Sequence, residues 1–234
     1  VWIPNSALQN GTGSVTEYVG GDPTNFHIFL QGGIATPFCI AVDARNDIWV
    51  ANSGTACSVS VLRNDGTPLH PAITHAKMRS LKGIALDSAG NAWTAGFLSR
   101  NVFEILANGT IAPPAPFTPF AMEGPWGVAV DGDDNVWVAD FTGQKVFELC
   151  GRSTAHCPPG STTGAPLSPR GGFTSAALQH LTAVQIDASG NVWLTNNIQT
   201  GTTGSPYEGG DGLVELIGRA APVKTPLIGL PPRP

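Results

Sequence analysis

"GVAVDGDDNVWVADFTGQKVFEL", residues 127–149, decides the fold and raises one question of local chemistry. Asp131, Asp133 and Asp134 precede Asn135 with a spacing similar to the start of an EF-hand calcium loop. The other interpretation is a tight turn, in which the first aspartate accepts hydrogen bonds from the amides that follow it. The rest of the chain allows a choice between a cation site and a turn.

The same pattern recurs along the chain. Related segments begin at Cys39 ("CIAVDARNDIWVAN"), Gly83 ("GIALDSAGNAWTAG") and Ala183 ("AVQIDASGNVWLTN"), while "VWIPN" at Val1 keeps only the second half. The aspartate recurs in the complete copies without the extra acidic residues, so the sequence favours a turn over a calcium site. One tryptophan marks each copy: Trp2, Trp49, Trp93, Trp137 and Trp193.

The spacing of these tryptophans predicts the architecture. They are 47, 44, 44 and 56 residues apart, and each unit contains several short, alternating, strand-like segments separated by turns. Four strands per repeat at such a period are typical of a β-propeller blade. We therefore predict an all-β fold, with residues 1–234 forming a single β-propeller domain of five four-stranded antiparallel blades, or six if a further blade lies upstream.

The two ends of the chain complicate this ring. Because the first copy begins at the Trp strand, the first blade is expected to be incomplete and to lack its inner strand. The Pro-rich tail, about residues 220–234, offers "VKTPLIG" (223–229) as a fourth strand, but it has too many prolines for a buried inner strand. Either a longer precursor or a neighbouring molecule is expected to cover the open edge.

The composition limits the classes of partner. The chain has 12 Lys and Arg against 17 Asp and Glu, for a net charge of −5, whereas nucleic-acid-binding domains concentrate positive charge. Apolar runs are shorter than the ~18 residues that a membrane-spanning helix needs. We predict no nucleic-acid partner and no membrane span.

The four cysteines predict disulfides. They show no C-x-x-C spacing, which disfavours zinc, and their even number suits an oxidising compartment. Cys150 and Cys157 flank a short loop, and Cys39 and Cys57 are expected at the same end of one blade. We predict the bridges Cys39–Cys57 and Cys150–Cys157, and an extracellular or periplasmic location.

Residues 127–149 resemble an NHL repeat, and the resemblance covers nearly the whole chain. Residues 166–197 and 209–232 are similar to secreted bacterial NHL proteins. More distantly, the chain resembles streptogramin B lyase, in which histidines and a glutamate surround a magnesium ion near the central axis. The histidines of this chain lie outside the inner-strand and Trp-strand motifs, so this set has no residue-by-residue counterpart here.

Strand direction sorts the loops and gives the candidate binding residues. The loops after the Trp strands share a face with the segments that enter the inner strands, and the long insertions 6–13 and 197–212 fall there. The polar residues three positions after the tryptophans are expected to form a broken ring at the channel mouth, or alternatively to cap the following turns. These candidates are Asn5, Asn52, Asp140 and Asn196. The candidates in the longest insertion, which is alternatively a solvated loop, are Tyr207, Glu208 and Asp211.

Two functions are compatible with this pattern. The first is a secreted, non-enzymatic propeller without a cofactor, which acts as a binding or structural scaffold. It takes a protein or glycan ligand on the long-loop face, or self-associates through the incomplete first blade. The alternative is a metal-dependent lyase or lactonase with an axial site, although the inner strands offer mainly apolar side chains and Gln185. The recurrent third-strand glutamates are expected to be exposed rather than catalytic: Glu17, Glu104, Glu148 and Glu215.

Overall fold

The computed structural model describes residues 1–6, 13–118, 122–198 and 209–223. These residues form antiparallel strands and one 3-10 turn at Val19–Gly21. The strands are β1 (Trp2–Ser6), β2 (Gly13–Tyr18), β3 (Phe26–Phe29), β4 (Pro37–Val42), β5 (Ile48–Asn52), β6 (Ser58–Leu62), β7 (Ile73–Thr74), β8 (Leu81–Leu86), β9 (Ala92–Gly96), β10 (Asn101–Ile105), β11 (Pro125–Val130), β12 (Val136–Asp140), β13 (Lys145–Leu149), β14 (Leu181–Ile186), β15 (Val192–Ile198) and β16 (Gly209–Leu216).

The strands of the described ranges form five sheets, which we number I to V in chain order. Sheet I is β1–β3, sheet II is β4–β7, sheet III is β8–β10, sheet IV is β11–β13 and sheet V is β14–β16. In sheets II to V the first strand is the inner strand, and it packs against the inner strands of neighbouring sheets. The all-β propeller architecture is as predicted, while the number of blades in a complete ring stays a prediction.

The recurrent tryptophans fill the spaces between sheets. Trp49, Trp93 and Trp137 are fully buried. Each lies in a core cluster that combines its own sheet with the next one, as Trp137 does with Leu181 and Val184 of sheet V. Burial of such large rings makes these contacts a main source of stability.

The inner strands approach one another so closely that glycine is required. A Cβ at Gly127 of β11 would lie 2.9 Å from the Cα of Ala183 and 2.9 Å from the backbone nitrogen of Val184 in β14. A Cβ at Gly83 of β8 would lie 2.6 Å from the carbonyl oxygen of Trp126. The glycines of "GIAL" and "GVAV" therefore allow neighbouring inner strands to pack this closely.

Sheet I begins with a Trp strand. Trp2 pairs with Glu17 across β1 and β2, as Trp137 pairs with Glu148 across β12 and β13. By this register β1 is a Trp strand that lies at the inner edge of its sheet and contacts β4. As expected, sheet I has no inner strand within the described residues. The expected fourth strand at 223–229 lies outside them, apart from Val223.

The outer edge differs from the four-stranded expectation. In the described ranges only sheet II has a fourth strand, β7, which is two residues long. Sheets III and IV have isolated bridges at this edge, such as Val102 with Phe117 and Val146 with Phe173. Proline is the physical reason, because the "APPAPFTP" segment lacks the amide donors that a continuous ladder needs.

Only one of the two predicted disulfides is present. Cys150 and Cys157 form a disulfide with a Cα separation of 5.9 Å, in the loop that follows β13. Cys39 and Cys57 are free thiols, so the prediction of a Cys39–Cys57 bridge is wrong. Cys39 lies on the inner strand β4 and Cys57 precedes the third strand β6. Strand β5 lies between them, and two strand spacings of about 4.8 Å exceed the ~7 Å limit for a disulfide.

Candidate functional site

The aspartate of each turn binds the protein itself. Asp131 Oδ1 accepts hydrogen bonds from the amides of Asp133 (3.0 Å) and Asn135 (2.9 Å). Its Oδ2 accepts one from Nε1 of Trp137 at 3.0 Å. The pattern repeats in the other complete copies, as Asp43–Trp49, Asp87–Trp93 and Asp187–Trp193. Residues 131–135 therefore form a turn that anchors the neighbouring tryptophan, as the repeat pattern predicted.

The predicted polar ring holds loops in place. Asn52 is fully buried; its Oδ1 accepts from the amide of Ala35, and its Nδ2 donates to Ser58 and Ser60. Asp140 is also fully buried and accepts from the amides of Glu123, Gly124 and Gly143.

The remaining candidates of that ring and the long insertion differ in what the structure describes. Asn196 accepts from the amide of Gln179 and donates to the carbonyl of Ala177, and Asn5 donates to Ser14 and Thr16. Tyr207 and Glu208 lie outside the described residues, and Asp211 is described only as a backbone position of β16.

The third-strand glutamates are not all exposed, which corrects the expectation. Glu104 is fully buried and forms an ion pair with Arg152, with Oε1 2.8 Å from Nε. Glu148 is partly buried; desolvation, assisted by the negative charge of Asp131, raises its pKa to about 7. Only Glu215, on the last sheet, is clearly exposed.

A bulge at the start of each inner strand creates a site that sequence patterns alone did not reveal. The pairing of β4 with β5 shifts between Pro37 and Cys39, which leaves Phe38 out of the ladder. The same shift occurs at the equivalent point of β8, β11 and β14. Bulges redirect side chains, and here the bulged residues line one cavity of about 190 Å³ on the channel axis. These residues are Phe38, Lys82, Trp126 and Thr182.

Aromatic rings gather around this cavity. We call the face that carries the loops after the Trp strands the mouth face. Trp126 has its ring centroid 5.4 Å from Phe38, 5.3 Å from Phe97 and 5.0 Å from Phe141. Phe97 and Phe141 follow the Trp strands directly, so β9 and β12 deliver them to the same end. The four rings, which are all partly exposed, are named the aromatic cluster below.

Lys82 lies in the middle of the aromatic cluster. Its Nζ is 3.9 Å from the ring centroid of Phe38 and 4.6 Å from that of Trp126, both within cation–π distance. Burial lowers the pKa of the Lys82 ammonium. Among the described residues no carboxylate forms an ion pair with it. Within the described ranges, the mouth therefore presents a partly desolvated cation whose partners are the faces of aromatic rings.

The sequence contained a signal for this cluster. Five of the six tryptophans mark the repeat, and Trp126 is the one that does not. The residues after the Trp-strand motifs include Phe97 and Phe141, where the other copies have Ser53 and Asn197. An aromatic residue that departs from the repeat at one end of adjacent blades indicates a shared surface, but the bulges that aim the side chains have no sequence signature.

The described residues contain no group of three or more His, Cys, Asp or Glu side chains placed to hold a metal ion. In the described part of the chain no helix is long and apolar enough to cross a membrane.

Comparisons with known proteins agree with this fold. Residues 123–148 match the family model of the NHL repeat. Virginiamycin B lyase from Staphylococcus aureus is similar at 16% identity and a TM-score of 0.60, over 88% of this chain and 63% of that chain. A streptogramin B lyase structure is similar at 16% identity and a TM-score of 0.55, over 96% and 69%. A nidogen/laminin complex matches at 13% identity and a TM-score of 0.55, over 76% and 61%.

The chain is a β-propeller that contains an NHL repeat. It resembles the streptogramin B lyases in fold, and it spans 63% of the length of the virginiamycin B lyase chain. No curated protein matches it. At these identities the similarity establishes the fold alone, because propellers host many activities.

Proposed function

We propose that this protein is a secreted, non-enzymatic propeller domain that acts as a binding scaffold, with the mouth face as its ligand surface. The observation that carries the proposal is the aromatic cluster around Lys82. Partly exposed aromatic rings and a cation without a carboxylate partner are the groups that recognition sites use for affinity and orientation. Phe38, Lys82 and Trp126 are held on the bulges of packed inner strands, and Phe97 and Phe141 directly follow Trp strands, so the surface is preorganised.

The disulfide supports the extracellular or periplasmic part of the proposal. A Cys150–Cys157 bridge persists in oxidising compartments and is rare in the cytosol. The free thiols of Cys39 and Cys57 are partly buried, which is compatible with the same location. Asn52 and Asp140 contribute to this face indirectly, by fixing the loops that surround the aromatic cluster.

The test is an array of glycans and peptides probed with the wild-type protein and with two single variants. Trp126→Ala removes the central ring of the mouth, and Arg63→Gln changes an exposed residue in the turn after β6, on the opposite face. We expect array binding that Trp126→Ala weakens and Arg63→Gln leaves unchanged, with unfolding temperatures measured in parallel. Binding that is indifferent to the mouth variant would overturn the proposal.

A parallel assay addresses the lyase or lactonase alternative. The purified protein is incubated with simple lactones and with polysaccharides whose cleavage by a lyase leaves an unsaturated sugar, in the presence of Mg²⁺ or Ca²⁺. We expect no metal-dependent turnover. Turnover that Trp126→Ala abolishes would replace the binding scaffold with an enzyme.

A further inference from the structure

The mouth face is positively charged on one side although the chain as a whole is acidic. Lys77 and Arg79 lie on the segment that enters β8, and Arg100 lies in the loop after β9. Hydrogen bonds tie these two segments together: the amide of Leu98 donates to the backbone carbonyl of Arg79, and Nδ2 of Asn101 donates to the backbone carbonyl of Lys77. With Lys82, near the start of β8, these residues lie on the mouth face that also carries the aromatic cluster, and we name the four the cationic patch.

This cationic patch has no internal counter-charge among the described residues. None of its four members takes part in an ion pair there. The described acidic groups of the mouth are already engaged, since Glu123 pairs with Lys145 at 3.1 Å and Asp140 accepts three backbone amides. In a chain of net charge −5, such a local excess of positive charge favours an anionic ligand.

A cleft of about 850 Å³ lies on the mouth face, and Arg79 is the member of the patch that lines it. Its walls are the loop 53–57 between β5 and β6 and the segments 74–76 and 78–80 before β8, with Leu98 also in the lining. The two walls are joined by hydrogen bonds, from the amide of Ser80 to Sγ of Cys57 at 2.9 Å and between the Ser53 and Ser80 hydroxyls at 3.2 Å. Its volume is in the range of about 300–1,000 Å³ that small-molecule sites have.

The aromatic cluster favours a ring-shaped partner over an extended acidic peptide. The negative face of an aromatic ring attracts the polarised C–H groups on the apolar face of a sugar ring. A sugar acid combines this face with a carboxylate, which matches the arrangement of rings around Lys82. A carboxylate close to a desolvated ammonium also gains more than one at a fully exposed lysine, because the local dielectric constant is lower.

We propose that the mouth face binds an acidic oligosaccharide, with a uronate carboxylate at Lys82, sugar rings on the aromatic cluster and further carboxylates at Lys77, Arg79 and Arg100. This inference rests on the proposed binding function and specifies its ligand class. The glycan lies across the cleft and the aromatic cluster. The carboxylate, rather than the sugar ring alone, makes the protein prefer an acidic glycan to a neutral one.

The experiment compares acidic glycans with an uncharged match by calorimetry. The probes are oligogalacturonate, alginate oligomers and hyaluronan oligomers, with fully methyl-esterified oligogalacturonate of equal length as the neutral match and hexaglutamate as the acidic peptide. We expect at least one acidic glycan to bind about tenfold or more tightly than the neutral match and than hexaglutamate, a difference of about 1.4 kcal/mol.

The variants separate charge from stacking. Lys82→Met keeps an unbranched, apolar side chain out to the ε position but removes the ammonium group, and it is expected to remove the preference for the acid over its methyl ester. The triple variant Lys77→Gln, Arg79→Gln, Arg100→Gln changes only exposed positions. It is expected to weaken the binding of acidic glycans and to leave the binding of the neutral match unchanged. Arg63→Gln, on the opposite face, is the matched charge control and is expected to change neither.

Other outcomes decide against the inference. If none of the three acidic glycans binds, or if the neutral match binds equally well, the ligand class is wrong, while a mouth-dependent neutral ligand would still uphold the binding function. Tighter binding of hexaglutamate that depends on Lys82 would make the ligand an acidic peptide. If no ligand shows binding that Trp126→Ala or Lys82→Met weakens, both proposals are wrong.

Discussion

Donors of the protein itself occupy the acceptor positions of the Asp131 carboxylate. One of them is the amide of Ala221, which follows β16 and lies 3.3 Å from Oδ2 of Asp131. We expect Asp131→Ala to lower the free energy of unfolding by about 2–4 kcal/mol, because the buried Nε1 of Trp137 and the turn amides lose their acceptor. Urea denaturation followed by fluorescence measures this change.

The neighbouring acid provides the control for Asp131. The Asp133 side chain is partly exposed and lies 3.5 Å from the ring of His156, so Asp133→Asn is expected to change the stability by less than about 0.5 kcal/mol. Millimolar calcium is expected to leave the melting temperature of the wild type unchanged. A calcium-dependent rise that Asp133→Asn abolishes would restore the cation-site interpretation.

Glu148 makes a pH-dependent contribution to stability. The pKa of its carboxyl group in the folded state is raised to about 7 from an ordinary value of 4.5, so this carboxyl holds its proton more tightly in the folded protein than in the unfolded chain. The contribution is fully present below the ordinary value and is lost as the pH rises to about 7. We therefore expect Glu148→Gln to leave the melting temperature at pH 4 nearly unchanged and to raise it at pH 8.

The equivalent glutamate of the last sheet is the control for Glu148. Glu215 pairs with Trp193 as Glu148 pairs with Trp137, but it is exposed. Glu215→Gln is expected to give the same melting temperature as the wild type at both pH values. Parallel pH profiles for Glu148→Gln and the wild type would show that Glu148 does not carry the effect.

At the residue scale, the sequence predicted the role of an aspartate better than that of a glutamate. Asp131 stands before a turn in a pattern that its copies repeat, and turn chemistry is local. The hydrogen bond from each indole to the aspartate six residues earlier was not predicted, and it emerged from the structure. Burial of Glu104 depends on Arg152 from a later loop, and a contact across that distance in sequence leaves no local pattern.

At the scale of strands, the spacing between inner strands is set by glycine. We expect Gly127→Ala to destabilise the protein by about 1–3 kcal/mol, because the new methyl group would overlap the backbone of β14. Gly171→Ala is the matched control, since a Cβ there meets no atom within 4 Å. Thermal unfolding compares the two, and equal melting temperatures would mean that the inner strands have room to separate.

The strands themselves were predictable to different degrees. Inner strands and Trp strands follow from alternation and from the recurring "GVAVD" and "NVWV" segments, which are strong local signals. The outer strand was overestimated, because an alternating segment that contains Pro113 and Pro114 cannot donate the hydrogen bonds of a ladder. The bulges that present Phe38 and Trp126 depend on the fit between neighbouring strands, and so the mouth site emerged only from the structure.

At the scale of the whole molecule, sheet I exposes one apolar face. Ile3 pairs with Thr16, which pairs with Ile28, so the two isoleucines lie on the same side of the sheet. Phe26 is on this side as well, two residues before Ile28, and the exposed fractions are 50% for Phe26 and 57% for Ile28. The other side carries Trp2 and packs against sheet II. An exposed apolar face of this kind favours association with another surface.

The edge of sheet I opposes one form of association. Val1 and Tyr18 exchange both backbone hydrogen bonds, so by antiparallel alternation the backbone of Trp2 and Pro4 faces away from β2. Pro4 has no amide hydrogen, and proline at an edge blocks the addition of a further strand at that point. We therefore expect residues 1–234 to self-associate through the apolar face, rather than by strand addition at β1.

Sedimentation velocity at several concentrations tests this mode of association. The double variant Ile3→Lys, Ile28→Lys places two charges on the apolar face and is expected to reduce the associated fraction without lowering the melting temperature, since both side chains are exposed. Leu98→Lys, at an exposed position of the mouth, is the control and is expected to associate like the wild type. A wild type that stays monomeric at every concentration would refute self-association, and a double variant that associates normally would move the contact to the edge of β1 or to sheet V.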